Sequence, residues 1–384
     1  MTTSSTPKQA QVQGLPLNWT QMGGDAAPPI TYPSDTTDLD PNETELVLVG
    51  TAGRKITHLG QDLVPLTKLV QLVLRSHVIR SMEGIQGLKN LELLELYDNQ
   101  VEALTGLEHK LRLKTLDMSY NVIREMGPVQ SCVHLTELCT CLEAAVFSVL
   151  IPGAHPTRSD LANNKLKTID GLHTLKNLKK IDLGANRIRV LEGLEHCTQL
   201  EELWMGKNKI EEIQGLDKLT KLRRLDLQSN RLTKIQGLEA QKETLEELFL
   251  AHNGITDEGA VLPQFTQLSI LDLSRNQLTS GRPFVHLTTL DELWISGNQI
   301  PSLEDVECLS VLELDTIYLE YNPLQQDPLY RKRLHELLPT LTQIDADMIQ
   351  RTVHTPALPV QTQEQELQAL QEQVIQRAKA ESQK

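Results

Sequence analysis

Aromatic residues are scarce in this sequence, and Phe, Trp and Tyr together make up only 3% of its 384 residues. Large aromatic side chains normally dominate the interior of a globular domain. A chain of this length without them must build its core mostly from Leu and Ile. The positions of the few aromatic residues are therefore not explained by core packing alone.

Regularly spaced cysteines and long apolar runs are also missing. The five cysteines are an odd number without regular spacing, which indicates neither a disulfide framework nor a zinc site and favours reduced thiols. No apolar run approaches the ~20 residues of a membrane span, and residues 1–24 lack the basic start and apolar stretch of a signal peptide. We predict no membrane association.

Positive charge is in deficit, since the net charge is -14 and the pI is about 5.3. Binding to a phosphate backbone draws its affinity from clustered Lys and Arg, so no direct nucleic-acid partner is predicted, and a basic or mixed protein surface is favoured. The sequence also lacks a glycine-rich phosphate loop, a paired metal motif and a catalytic constellation. We predict a protein that is not an enzyme and needs no cofactor or metal.

A repeat of 22 residues organises what remains. Residues 200–222 read LEELWMGKNKIEEIQGLDKLTKL and fit the template Leu-x-x-Leu-x-Leu-x-x-Asn-x-Leu/Ile of a leucine-rich repeat. The Asn of this template, which we call the anchor, recurs at the same position of successive repeats, and a degenerate first copy lies near Arg54. Its members are His77, Asn99, Asn121, Asn164, Asn186, Asn208, Asn230, Asn253, Asn276, Asn298 and Asn322.

The repeat predicts an α/β leucine-rich-repeat solenoid. Each unit contributes a short parallel strand to a concave sheet of about eleven strands, followed by a 3₁₀ or extended segment on the convex side. Residues 46–59 are predicted to form the N-terminal cap. A short helix carrying Leu329, Arg333, Leu337 and Leu338, ended by Pro339, is predicted to form the C-terminal cap.

Three regions follow from this pattern. Residues 1–45 are polar and predicted to be disordered, residues 46–350 form the solenoid with its cap, and residues 351–384 form a polar tail that is partly helical or disordered. One step between anchors, from Asn121 to Asn164, is too long. Removing residues 139–159 restores the spacing, which predicts an insertion in mid-strand and an irregular repeat, and which we interpret as a splice variant or gene-model artefact.

One column on the predicted concave face is unusual. Four residues before each anchor from Asn99 onward, every position is acidic or aromatic, and two of the three tryptophans lie there. The column comprises Glu95, Asp117, Asp160, Asp182, Trp204, Asp226, Phe249, Asp272, Trp294 and Tyr318, with Glu202, Glu247 and Glu292 two residues earlier.

Two interpretations of this column are open. These side chains could simply pack along neighbouring strands, where each cross-strand pair contributes ~0.2 to 1 kcal/mol. Alternatively they form a protein-binding strip, in which aromatic anchors supply apolar area and carboxylates orient the Lys and Arg of a partner. We favour the strip, because packing does not account for scarce tryptophans on an exposed face.

Several stretches resemble the leucine-rich-repeat regulatory subunits of protein phosphatase 1, the regulatory subunit 7 family. They are LYDNQ at 96–100, GKNKI at 206–210, QSNRLTKIQGL at 228–238, AHNGI at 251–255 and YLEYNPLQQDPLYRKR at 318–333. The resemblance covers residues 46–349. It departs from the family at the interrupted repeat, where the family has an aromatic concave residue and this chain offers Cys139 or Asp160.

The resemblance implies a non-catalytic subunit that binds the phosphatase catalytic subunit on its concave face and regulates its activity, maturation and location. It also implies a ternary complex with further phosphatase inhibitors, and localisation in the nucleus and cytoplasm. The family's contacts carry over to Asp117, Asp182, Trp204, Asp272, Glu292, Trp294 and Tyr318, and the column adds Asp226 and Phe249. The alternative is a scaffold of another complex, similar to the spliceosomal A-prime protein or to a ciliary or tubulin adaptor.

Overall fold

The computed structural model describes residues 39–51, 55–60, 63–140 and 164–349. In these ranges fourteen strands form one sheet in chain order, parallel except for the last pair. Eleven strands belong to the repeats, as predicted, and the two caps add three more. The strands are β1 (Glu45–Val49), β2 (Gln71–Arg75), β3 (Leu93–Glu95), β4 (Thr115–Asp117), β5 (Glu137–Cys139), β6 (Lys180–Asp182), β7 (Glu202–Trp204), β8 (Arg224–Asp226), β9 (Glu247–Phe249), β10 (Ile270–Asp272), β11 (Glu292–Trp294), β12 (Thr316–Tyr318), β13 (Gln343–Ile344) and β14 (Asp347–Met348).

The alternation within each strand sorts its side chains between core and surface. In β7, Leu203 and the following Met205 are fully buried, whereas Glu202 and Trp204 are partly exposed on the opposite face. Successive side chains of a strand point to opposite faces, so the repeat leucines form one continuous core behind the sheet. The predicted core of Leu and Ile is confirmed.

The convex side consists of extended segments and short 3₁₀ turns, as predicted. The 3₁₀ turns are Gly127–Ser131, Glu239–Gln241, Arg282–Phe284, Leu303–Asp305, Glu307–Val311 and Pro323–Gln326. The glycine that opens the return segment is needed at its position. Gly215 has a φ of 71°, and a Cβ there would lie 2.6 Å from the carbonyl oxygen of Leu191.

The anchor asparagines tie each repeat to the one before it. Asn208 Nδ2 donates to the carbonyl oxygens of Met205 (3.0 Å) and Leu183 (2.9 Å), and its Oδ1 accepts from the backbone N–H of Ile188 (3.0 Å). The residue before the anchor is left-handed, as at Lys207 with a φ of 56°. The amide thus satisfies backbone groups that the strand ladder leaves unpaired.

The N-terminal cap is a full strand. β1 pairs with β2 over five residues, and His77 replaces the anchor Asn by accepting from the N–H of Ile56 (3.2 Å). The degenerate first anchor predicted near Arg54 lies outside the described residues.

The C-terminal cap is helix α1 (Tyr330–Leu337), followed by the β13–β14 hairpin. The predicted capping helix is present, and it buries Tyr330, Leu334 and the following Leu338, whereas Leu329 is exposed. The fully buried Asp345 accepts from the Tyr330 hydroxyl, which holds this ring inward. No helix within the described ranges is long and apolar enough to cross a membrane.

The interrupted repeat keeps its strand. Cys139 lies between Asp117 and Asp182 in the sheet, and the N–H of Thr140 donates to the carbonyl of Asp182 (2.8 Å). Asn164 Nδ2 then donates to the Thr140 carbonyl (2.9 Å), which closes the repeat. The described part of this repeat, up to Thr140 and again from Asn164, is therefore regular, whereas the insertion predicted at residues 139–159 stays a prediction.

The remaining predictions about chain organisation concern regions outside the described residues. They are residues 141–159 of the insertion predicted at 139–159, the neighbouring Asp160, residues 1–38 of the tail predicted at 1–45, and the tail predicted at 351–384. Cys139, rather than Asp160, occupies the concave position of this repeat.

Candidate protein-binding surface

The sheet register places the predicted column in one row. Each member lies directly opposite its neighbours, because the strands pair without a shift from β3 to β12. We call this the concave row, and it comprises Glu95, Asp117, Cys139, Asp182, Trp204, Asp226, Phe249, Asp272, Trp294 and Tyr318. Glu292 begins the strand that ends in Trp294, two residues from the row on the same face.

The aromatic members form a partly exposed surface. The rings of Phe249 and Trp294 meet edge to face with centroids 6.0 Å apart, and those of Trp294 and Tyr318 meet likewise at 5.5 Å. The Tyr318 hydroxyl accepts from Gln343 Nε2 (2.6 Å). Three rings thus interlock across β9 to β12, a geometry that adds to the stability of each ring position.

A Glu-Leu-Trp sequence fixes each indole. Trp204 Nε1 donates to Glu202 (3.1 Å) and Trp294 Nε1 donates to Glu292 (3.0 Å). The two residues of each pair are two positions apart on one strand, so their side chains lie on the same face and the carboxylate can reach the indole directly. The side chain of Glu292, predicted as a site residue, therefore orients Trp294 while it remains partly exposed.

Arg224 was not predicted, although it links two aromatic members of the row. Its guanidinium carbon lies 4.3 Å from the ring centroid of Trp204 and 4.9 Å from that of Phe249. It also contacts Glu247 at 3.0 Å. The positions two residues before the row, which we call the second column, would have indicated this, because their charges alternate in sign and place Arg224 between Glu202 and Glu247.

The aspartates of the row are not presented to solvent in the same way. Asp117, Asp226 and Asp272 are only 7%, 4% and 8% exposed. Each Oδ1 accepts from the backbone N–H two residues later, at 2.8 to 2.9 Å, and Asp182 does the same for Gly184 (2.9 Å). These carboxylates close the turn after the strand.

The titration of these carboxylates reflects their burial. Loss of hydration raises the pKa of both Asp117 and Asp226 to about 6, and raises that of Asp272, against the opposing effect of the backbone hydrogen bonds. The packing interpretation therefore holds for these three aspartates. The partly exposed charges of the face come from Asp182 and the second-column residues Glu202, Glu247 and Glu292.

A tyrosine pair at the N-terminal end was also missed. The ring centroids of Tyr97 and Tyr120 lie 4.9 Å apart, and burial raises the pKa of Tyr97. Close by, Arg75 forms an ion pair with Glu95 of the row, a bond that raises the pKa of Arg75. Both tyrosines lie in the turn between strand and anchor, outside the column used for prediction.

Family models match the middle of the chain. A model described as "Leucine Rich repeats (2 copies)" matches residues 198–240, and one described as "Leucine Rich repeat" matches residues 241–262. Among solved structures, the Leptospira interrogans leucine-rich-repeat protein LIC12759 superposes with a TM-score of 0.57 at 24% identity, over 76% of each chain. These matches show a leucine-rich-repeat solenoid.

Curated relatives match shorter segments. The protein phosphatase 1 regulatory subunit SDS22 of Schizosaccharomyces pombe is 40% identical over 70 residues, and regulatory subunit 7 of Danio rerio is 56% identical over 36. These segments cover 17% and 9% of this chain, and 21% and 10% of the relatives. The centrosomal protein of 72 kDa of Mus musculus is 42% identical over 84 residues, 22% of this chain and 12% of its own.

The chain therefore matches about a fifth or less of the length of these relatives. A leucine-rich-repeat fold combined with relatives named as regulatory subunits indicates a non-catalytic protein. The chain is a leucine-rich-repeat solenoid whose relatives include regulators of protein phosphatase 1.

Proposed function

We propose that this chain is a regulatory subunit that binds the catalytic subunit of protein phosphatase 1 through its concave row and controls the activity, maturation or localisation of that enzyme. The observation that carries the proposal is the interlocked aromatic surface of Phe249, Trp294 and Tyr318. Relatives named as phosphatase regulatory subunits support the choice of partner.

The physical basis is a hot spot. Rigid aromatic side chains lose little conformational entropy on binding, and a partner that covers them removes apolar area from water. Partly exposed carboxylates such as Glu202 and Glu292 border the two indoles and attract Lys and Arg on the partner. The buried aspartates hold the turns that support this surface.

Two wider features belong to the same proposal. Further phosphatase inhibitors bind to this pair and form a ternary complex. The convex side of the solenoid stays accessible in that complex. The complex occurs in the nucleus and the cytoplasm. Fractionation of cells that express a tagged chain tests the second feature, and exclusion from the nucleus would contradict it.

Trp294→Ala tests the binding surface. The substitution removes the central ring of the cluster, and we expect the dissociation constant for the phosphatase catalytic subunit to rise about 30-fold or more, equivalent to ~2 kcal/mol. Biolayer interferometry with the immobilised chain measures the change. Thermal unfolding of the variant establishes that it is still folded at the temperature of the binding measurement.

Tyr321→Ala is the matched control. Tyr321 is an aromatic residue that is 69% exposed and lies outside the row, in the turn after β12. Its substitution should leave affinity within about twofold, as expected for a residue outside the contact. Equal losses for both variants, or no loss for Trp294→Ala, would refute the assignment of the row.

A deletion variant tests whether the interrupted repeat affects binding. Removing residues 141–161 brings Ala162 next to Thr140 and restores the 22-residue step without touching β5. Binding by the deletion variant alone would mean that the interruption blocks the face. Failure of both forms to bind, when both are folded, would refute the phosphatase assignment.

A scaffold role is the second candidate. The match to the centrosomal protein of 72 kDa and one to the 187-kDa microtubule-associated protein AIR9 of Arabidopsis thaliana favour it. Co-sedimentation with microtubules, combined with absence of phosphatase binding, would select this alternative.

A further inference from the structure

Basic residues occupy the same position in four consecutive repeats. The residue directly after the anchor Asn is Lys165, Arg187, Lys209 and Arg231 in turn. Two residues further on, Lys167 and Arg189 extend the set. We call these six residues the basic ridge. In the other repeats from Asn99 onward the position after the anchor is uncharged, so the ridge is confined to one part of the solenoid.

The backbone holds these positions in register. The N–H of Arg187 donates to the carbonyl of Leu166 (2.8 Å), that of Lys209 to Ile188 (2.9 Å), and that of Arg231 to Ile210 (2.8 Å). Neighbouring members are thus separated by one strand spacing of roughly 4.8 Å. The ridge lies beyond the anchor turn, and it is a different surface from the concave row.

The ridge breaks the charge pattern that the chain uses elsewhere. At the N-terminal side of the strands, Lys179 pairs with Glu201 (2.9 Å) and Arg223 pairs with Glu246 (2.7 Å). Like charges on neighbouring strands are destabilising, and alternation of sign avoids that cost. Four cations in succession forgo this compensation, which is unexpected in a protein of net charge -14.

Carboxylates of the chain itself do not neutralise the ridge. Among the described residues, only Arg231 has a salt-bridge partner, Glu211 at 3.6 Å, and both side chains are more than half exposed. An exposed pair of this kind contributes little. Arg187, Arg189 and Lys167 are exposed and available to an external anion.

We propose that the basic ridge binds an extended, carboxylate-rich segment of a protein partner. An extended peptide places alternate side chains on one side at intervals of roughly 6.8 Å, so the ridge matches two or three carboxylates in succession. Arginine presents paired donors that bind a carboxylate through two parallel hydrogen bonds. This surface is independent of the proposed phosphatase contact.

Nucleic acid fits the ridge less well. Single strands are bound through aromatic side chains on which the bases stack, together with a positively charged groove. The apolar residues between the ridge cations are Leu166, Ile188 and Ile210, which are buried.

Fluorescence anisotropy with the full chain tests the proposal. The probe is a fluorescein-labelled peptide of ten glutamates, with a peptide of ten glutamines and a twelve-nucleotide uridine RNA as comparisons. We expect saturable binding of the glutamate peptide at 50 mM salt that weakens at 300 mM, and no binding of the glutamine peptide. Arg187→Glu with Arg189→Glu should weaken binding about tenfold or more.

The control variant changes the net charge by the same amount elsewhere. Lys176→Glu with Lys218→Glu reverses two exposed lysines on convex turns and should leave affinity within about twofold. Absence of saturable peptide binding, equal losses in both double variants, or tighter binding of RNA than of the peptide would each overturn the proposal. Urea unfolding of each variant establishes that a loss of binding is not a loss of folding.

Discussion

The two halves of the concave row share one backbone and present different chemistry. From β3 to β6 its members are Glu95, Asp117, Cys139 and Asp182, and the first three are almost fully buried. From β7 to β11 the row alternates between partly exposed aromatic rings and buried aspartates, and β12 adds a further ring, Tyr318. Register is therefore a property of the repeat, whereas the exposed surface depends on the side chain at each position.

The arginines show the same difference. In the N-terminal half, Arg75 pairs with a carboxylate of the row, Glu95, whose side chain is only 10% exposed. In the C-terminal half, Arg224 lies over the rings of Trp204 and Phe249. One half satisfies its charges internally, and the other uses a cation to position aromatic side chains. A partner surface is therefore expected on the second half.

The largest effect should be a loss of stability that is the same in both halves of the solenoid. Asn121→Ala and Asn298→Ala each remove an anchor that joins two repeats through Nδ2 and Oδ1, and each should lower the free energy of unfolding by about 3 kcal/mol. In the N-terminal half, Asn121 Nδ2 donates to Leu96 (2.8 Å) and its Oδ1 accepts from Val101 (2.8 Å). Urea unfolding followed by circular dichroism measures both.

Asn90→Ala is the control for the anchors. Asn90 is partly exposed on the convex side, where it donates to the carbonyl of Thr67 (2.8 Å) and accepts from the exposed Arg112 (3.0 Å), so its loss should cost less than about 1 kcal/mol. If the two anchor variants differ by more than about 1 kcal/mol, the ladder is not uniform. The halves would then differ in stability as well as in surface.

The fold could be predicted because the length of the repeat fixes which residues of neighbouring strands lie opposite each other. The phase of the anchors placed the strands, and the left-handed turn before each anchor is compatible with residues as different as Lys207 and Tyr321. The burial of Tyr330 in α1 could not be predicted, because it depends on the bond from its hydroxyl to Asp345, fifteen residues later.

The row itself was predictable, whereas the exposure of its members was not. Asp and Trp occupy equivalent positions, but only a short carboxylate can turn back to accept from the N–H two residues later, as Asp226 does from Gln228 (2.9 Å). A larger ring cannot make this bond and stays on the face. Arg224 was not predicted, because only the glutamates of the second column resembled a binding strip for basic side chains.

Asp226→Asn should separate the buried members of the row from the exposed ones. The raised pKa of Asp226, about 6, means that the native state holds the proton more tightly than the unfolded chain. This contribution to stability is fully present below about pH 4 and is lost as the pH rises through 6. The wild type should therefore lose about 1 kcal/mol between pH 5 and pH 8 from this residue.

The variant removes the titration while it keeps an oxygen that can accept from Gln228. Its advantage over the wild type should grow by about 1 kcal/mol from pH 5 to pH 8, measured by urea unfolding at each pH. Asp217→Asn on an exposed convex turn is the matched control and should leave the profile unchanged. A gain that shrinks as the pH rises would contradict the assigned burial of Asp226.

The smallest effect tests how Arg224 acts. A double-mutant cycle of Arg224→Met and Trp204→Leu should give a coupling of about 0.5 to 1 kcal/mol in the free energy of unfolding, because the two groups are 4.3 Å apart. Methionine keeps the apolar stem and removes the charge, so the coupling reports the cation over the ring. The control cycle pairs Arg224→Met with Tyr318→Leu, four strands or roughly 19 Å away, where coupling should vanish. Equal coupling in both cycles would mean that Arg224 acts through the sheet as a whole, and the contrast between the two arginines would then reduce to general packing.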